Sequence, residues 1–308
     1  MGFLLLGLLA GAGCGGAVKQ THKLPVSEVR PLLEATAGEL ISRYNQQARA
    51  VRSLNARVEI RTETGSAYSG VIESYHEVNG FVLAQKPASI RMIGQAPVVA
   101  SNIFDMVSDG ETFRIFIPPK GKFIVGPTRL ARPAKKPIEN LRPQHLVDAL
   151  FWPEIGTGEP MLFEEFNAAT ERYYILTLIR PGSPLEIARK IWFDRGDLSV
   201  SRIETFAPGG RLEGDIHYGQ WEPLGELRYP REIELARPHD DYTLKLHIIK
   251  LTLNEEISAD RFHLEQPAGT ELVKVGEEPA GELPAEKDPG GKDPAEKKPP
   301  VEQRAVQP

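Results

Sequence analysis

The 308-residue chain has a single cysteine, Cys14. It can form no internal disulfide, and no multi-cysteine zinc or iron–sulfur site can be built from it. An excess of positive charge is also missing. The 37 Lys and Arg stand against 42 Asp and Glu, a formal net charge of −5, which argues against a broad nucleic-acid-binding face. Aromatics are sparse at 7%. No apolar run approaches the about 20 residues that a helix needs to cross a bilayer. Catalytic signatures are absent too: no G-x-S-x-G elbow, Walker A loop, H-E-x-x-H pair or G-x-G-x-x-G turn occurs. The histidines are scattered, with no two spaced to share a helical turn. His239-Asp240-Asp241 is the one dense polar cluster, and it falls in an expected turn, where Asp commonly serves the backbone. Ser101 and Ser183 have no recognisable base beside them. The sequence therefore assigns no catalytic residue, no metal site and no cofactor, and enzymatic activity is not expected.

What is present begins at the ends. Phe3 to Ala12 is a short apolar run, followed by Gly11-Ala12-Gly13 and then Cys14. The length suits the hydrophobic region of a signal peptide. The small residues leading to the cysteine resemble a bacterial lipobox, although Gly11 stands where leucine is usual and no basic residue precedes the run. The expectation is a signal peptide at 1–13, a lipid anchor on Cys14 and a linker over 14–25. The alternative is an ordinary cleaved signal with an incidental cysteine. Acyl chains on Cys14 would hold the protein to a membrane without a spanning helix. Gly15 after the cysteine favours the outer membrane by resemblance to proteobacterial sorting rules. At the other end, residues 276–308 carry seven prolines, eight acidic and five basic residues and no aromatic, and PAEK occurs twice. Such a segment buries too little apolar surface to offset its ordering entropy, so a disordered tail is expected.

Between the ends, residues 26–275 read as one mostly β domain. The first element is helical: Leu33, Ala37, Leu40, Ile41, Tyr44, Ala48 and Val51 recur at threes and fours across Glu34–Val51, and Ser27 is a candidate cap for an earlier turn. From Ala56 the period becomes two. Strands are expected at 56–60, 66–78, 81–85, 89–94, 98–107, 112–117 and 122–126, with Asn79-Gly80 and Asp109-Gly110 as hairpin turns. The segment 128–143 carries Pro133, Pro137 and Pro143 with Arg129, Arg132, Lys135, Lys136 and Arg142, and reads as a basic loop. Pro143 then opens a short apolar helix that ends before Pro153. Strands resume at 173–180, 185–193, 199–206, 212–218, 228–236 and 242–253. In the last one the apolar parity flips between Ile248 and Ile249, which predicts a bulge. No βαβ rhythm appears. The expected fold is mainly β (α+β): a large, curved, antiparallel sheet of about twelve strands with two or three helices on one face.

Four stretches carry a family resemblance: LNARVEIR at Leu54–Arg61, KPASIRMIG at Lys86–Gly94, SDGETFRIFIPPKGKFIVG at Ser108–Gly126 and ISADRFHLEQPAGTELV at Ile257–Val273. With the preceding helix they resemble the bacterial lipoprotein-localisation (LolA/LolB-like) superfamily over most of residues 30–275. The resemblance implies an unclosed β-barrel of about eleven strands with helices as a lid and a cavity that binds acyl chains of lipoproteins. A lipobox would align the chain with the outer-membrane acceptor of that group, facing the periplasm. Cavity-lining candidates are Val58, Ile60, Ile72, Phe81, Leu83 and Ile90, followed by Met92, Phe104, Phe113, Ile115 and Leu150; plain core packing is the competing role for each. Val98-Val99 and Ile103-Phe104 are candidates for a membrane-inserting loop.

Two functions from different classes follow. In one, a lipid-anchored envelope protein holds an acyl chain or lipoprotein ligand in its concave sheet by apolar burial. In the other, an assembly lipoprotein binds an envelope protein partner through the tail and the basic loop, without ligand transfer.

Overall fold

The computed structural model describes residues 31–66, 71–97, 101–129, 142–168 and 171–275. Cys14, Ser27, Val98-Val99, the centre of the basic loop and the tail from 276 onward lie outside the described residues.

The first helix, α1 (Ala37–Ala50), starts three residues later than the apolar periodicity suggests. A capping box fixes its start. The Glu39 amide donates to the Thr36 hydroxyl and the Thr36 amide donates to the Glu39 carboxylate at 2.8 Å, satisfying two amides that the first turn leaves without helical partners. Leu40, Tyr44 and Ala48 form the buried stripe. The second helix, α2 (Pro143–Leu150), has Pro143 at its first position, where the missing N–H is no loss.

The strands are β1 (Ser53–Ser66), β2 (Val71–Ser74), β3 (Val78–Gln85), β4 (Ser89–Gln95), β5 (Asn102–Ser108), β6 (Thr112–Ile117), β7 (Lys122–Pro127), β8 (Met161–Asn167), β9 (Arg172–Arg180), β10 (Glu186–Asp194), β11 (Val200–Phe206), β12 (Leu212–Leu224), β13 (Leu227–Arg237), β14 (Tyr242–Leu253) and β15 (Glu271–Lys274). They form one curved, unclosed sheet in the order β15-β7-β6-β5-β4-β3-β1-β14-β13-β12-β11-β10-β9-β8, with β2 beside β1. The sheet is two meanders, β3 to β7 and β8 to β14, joined where β1 pairs β14. Every pairing is antiparallel except that of β15 with β7. The mainly β, curved and unclosed architecture agrees with the sequence expectation; fifteen strands are present among the described residues rather than about twelve.

Three differences have local causes. Asn79-Gly80 is not a turn: both residues lie inside β3, opposite Glu59 and Val58. Gly80 is there because a Cβ would stand 2.7 Å from Ile60 Cδ1 and 2.8 Å from the Ile93 carbonyl, so the glycine serves close packing. The chain reverses earlier, between β1 and β2, and β2 and β3 then run in the same direction, each antiparallel to β1. β8 escapes the periodicity because its side chains are exposed on both faces. β15 is four residues long and is placed by its partner β7. The bulge at the parity flip is real: Arg57 pairs with Lys250 and Val58 with Ile248, leaving Ile249 extra and half exposed.

The two faces of the sheet differ. The inner face carries α1, α2 and the main core, built from rows such as Ala56–Val82–Met92–Met106 and Ile203–Ile216–Leu235–Leu244. The outer face of the first meander is crossed by the segment 254–270, which leads from β14 to β15. The Arg91 guanidinium holds it, donating to the Arg261 carbonyl at 3.0 Å and to both oxygens of Asp105 at 3.0 and 2.7 Å. Arg114 donates to the Leu264 carbonyl.

Candidate ligand cleft

The inner face is closed on one half and open on the other. On the first meander, α2 and the side chains of β1, β3, β4 and β5 pack directly together. On the second, the segment that follows α2 stands off the sheet and is held by polar contacts. Trp152 stacks on Tyr44 with ring centroids 5.3 Å apart and meets Tyr218 and Trp221 edge-on. Its indole donates to the Tyr218 hydroxyl at 2.9 Å, which donates onward to the Ala149 carbonyl at 2.9 Å. Tyr229 donates to the Leu150 carbonyl, and Tyr44 and Arg189 both donate to the Pro153 carbonyl at 3.0 Å. Asn45 bonds the backbone of Ile155 in both directions. These contacts satisfy the carbonyls at the end of α2, which have no helical partner, and fix the segment 149–155 at a set height above β10 to β13.

The gap beneath is a cleft of about 800 Å³. Its floor is Ile203, Ile216 and Leu235 from three adjacent strands, its roof Val147 and Phe151. Thr205 and Gly214 extend the floor toward Arg237, and Lys86, Arg189 and Glu154 line the rim. Small-molecule ligands occupy pockets of about 300–1,000 Å³ with mostly apolar walls and a few polar groups, and this cleft has that character. A polar hollow of about 550 Å³ on the outer face differs. It is lined by Glu59, Arg61, Glu232, Glu234, Lys245, His217 and His247; Lys245 pairs with Glu234 at 3.4 Å and His247 lies 3.8 Å from Glu232 across the strands.

The titratable groups in the cleft are shifted by burial. His145 is pushed down to about 3, first by burial and then by the nearby Arg237 and Arg142, so it is neutral at physiological pH; its Nδ1 lies 2.5 Å from the Tyr242 hydroxyl. Burial raises the Asp148 carboxyl and lifts Tyr44 to about 12. Arg237 is neutralised by Asp240 at 2.8 Å. Among the described residues no group of three or more His, Cys, Asp or Glu is placed to hold a metal ion.

The eleven sequence candidates scatter. Val58, Ile60, Ile90, Met92 and Leu150 are buried in the inner-face core, with Phe104 and Ile115 packed at its margin. Phe113 is buried beneath the Arg142 guanidinium. Phe81 and Leu83 have the opposite parity and face outward; Phe81 is 41% exposed and Ile72, on the short β2, 66%. None of the eleven lines the cleft. Its floor comes from the second meander, where Ile203, Ile216 and Leu235 show the same period-two signal but lie far from α2 in sequence. Among the described residues no helix is long and apolar enough to cross a membrane.

No family model and no curated protein matches the chain. Solved structures similar to it include a LolA superfamily protein from Nitrosomonas europaea, at 14% identity and TM-score 0.44, covering 75% of this chain and 99% of that one. A DUF1329 family protein from Desulfovibrio piger is 12% identical at TM-score 0.46, with 73% and 94% covered. A putative outer membrane lipoprotein-sorting protein domain from Vibrio parahaemolyticus is 7% identical at TM-score 0.44, with 72% and 95% covered.

Proposed function

We propose that this protein is a cell-envelope lipoprotein that binds an acyl chain in the cleft between the 147–154 segment and strands β10 to β13. The observation that carries the reading is the cleft itself. It is about 800 Å³ in volume, with a floor of Ile203, Ile216 and Leu235 and a roof of Val147 and Phe151. An alkyl chain that leaves water for such walls gains about 25 cal/mol per Å² of apolar surface buried. Binding rather than turnover is the proposed activity. Anchoring through Cys14 at the outer membrane, facing the periplasm, belongs to the same proposal and is supported by the apolar run and small residues that precede the cysteine.

The test is displacement of an environment-sensitive fluorescent fatty-acid probe, read together with quenching of Trp152, which lines the cleft. The wild-type protein binds the probe. Thr205→Trp, placed on the floor at a half-buried position, obstructs the cleft and weakens binding with the fold retained. Undiminished binding by a folded Thr205→Trp protein, or no binding by the wild type, refutes the reading.

A further inference from the structure

Two cations in the cleft make no direct ion pair among the described residues, although the Glu154 carboxylate is near enough to Lys86 to favour its charged form. Arg189 is 9% exposed, and its guanidinium donates to neutral groups, the Pro153 carbonyl at 3.0 Å and the Tyr44 hydroxyl at 3.3 Å, while lying over the Tyr44 ring. Lys86 donates to the Ala48 carbonyl at 2.5 Å, and its ammonium sits 5.7 Å from the centre of the Phe151 ring. Neither is within ion-pair distance of a carboxylate among the described residues. The carboxylates nearby are otherwise engaged. Glu154 is held by Arg49 at 2.7 Å, Asp240 holds Arg237, and burial draws Asp148 toward its neutral form. A buried guanidinium with only neutral partners is costly unless an anion joins it. Here that charge borders a cavity with an apolar floor, and Lys86 reaches the same Phe151–Glu154 segment.

We infer that the cleft takes an anionic amphiphile, a single alkyl chain ending in a carboxylate or phosphate monoester, with the head seated by Arg189 and Lys86 and the chain along Ile203, Ile216 and Leu235. This rests on the proposed cleft and narrows its ligand: an uncharged acyl ester or amide fills the floor but leaves the two cations as they are. The guanidinium can donate two parallel hydrogen bonds to either head, and the ammonium adds a third donor.

The test compares dodecanoate, dodecyl phosphate and dodecan-1-ol, each kept below its micelle concentration, by titration calorimetry with the full chain. Charge-assisted hydrogen bonds predict that at least one anion binds about tenfold or more tightly than the alcohol; which of the two does so identifies the head. Arg189→Gln, which keeps a donor for Pro153, reduces the anion preference to a few-fold while alcohol binding persists, and Arg189→Lys restores it. Lys86→Gln, at a half-buried site outside the Tyr44–Pro153 contacts, reduces the preference independently of any folding defect at position 189. Equal affinity for all three ligands overturns the inference and leaves the cleft reading standing. Binding of none of them overturns both. An anion preference that survives in both folded glutamine variants overturns the assignment to Arg189 and Lys86.

Discussion

The Trp152 indole N–H and the Tyr218 hydroxyl are 2.9 Å apart, buried, and 66 residues distant in sequence. This bond, relayed from Tyr218 to the Ala149 carbonyl, ties the end of α2 to the middle of β12 and sets the height of the cleft roof. Tyr218→Phe leaves an indole N–H and a helix-terminal carbonyl without their partner in a dry site. The expected loss is about 1–3 kcal/mol of unfolding free energy, measured by chemical denaturation. The same variant should show a red-shifted Trp152 emission.

Glycine-to-alanine changes should differ in sign by location. At Gly80 an added methyl meets Ile60 and the Ile93 carbonyl under 3 Å; at Gly94 it meets the Phe104 ring. Overpacking of this kind costs about 1–3 kcal/mol. The penalty should be larger at Gly80, where one neighbour is backbone. In α1, Gly38 has nothing within 4 Å, so Gly38→Ala should stabilise by up to about 1 kcal/mol. Thermal midpoints of the three variants check the order.

The histidine in the cleft makes stability fall with acid. The folded-state value of His145 is pushed down to about 3, below the ordinary value of 6.5, so between these pH values the unfolded chain binds a proton that the folded chain does not. Stability from this group is complete above about pH 6.5. As pH falls it is lost at up to about 1.4 kcal/mol per pH unit. Asp148, raised by burial, acts in the opposite sense in the lower carboxylate range. His145→Gln should flatten the profile between about pH 4.5 and 6.5, as read from denaturation midpoints.

On the outer face, Arg91 bridges Asp105 and the Arg261 carbonyl. Arg91→Met retains the apolar stem and removes the bridge. Limited proteolysis should then cut within residues 254–270 several-fold faster than in the wild type, while far-ultraviolet circular dichroism stays unchanged. Equal cleavage rates would show that Arg114 and β15 retain the segment without the Arg91 bridge.

Much of the fold was legible in the residues. The alternation of Ala56, Val58 and Ile60, the Asp109-Gly110 turn, Pro143 at the start of α2 and the parity flip at Ile249 are local signals, set by which side chains must turn inward along one strand or helix. Asn79-Gly80 misled because the turn propensity of that pair is also local, whereas Gly80 is required by Ile60 and Ile93 of neighbouring strands. β8 and β15 were invisible because edge strands with exposed side chains carry no burial pattern. The cleft was illegible for a related reason. Periodicity identifies which residues face the interior, and Val58, Ile90 and Ile216 look alike by that measure.

The sequence by itself determined a β-rich body with a short helix before and within it, a single cysteine behind an apolar run, and the absence of recognisable catalytic motifs, because composition and periodicity are properties of the chain alone. Only the tertiary structure decided which half of the inner face stays open. That depends on the height at which Tyr44, Arg189, Tyr218 and Tyr229 hold the segment after α2, contacts made across 79 residues for Tyr229 and 109 for Tyr44. The same long-range geometry left Arg189 buried without a carboxylate at the edge of an apolar space.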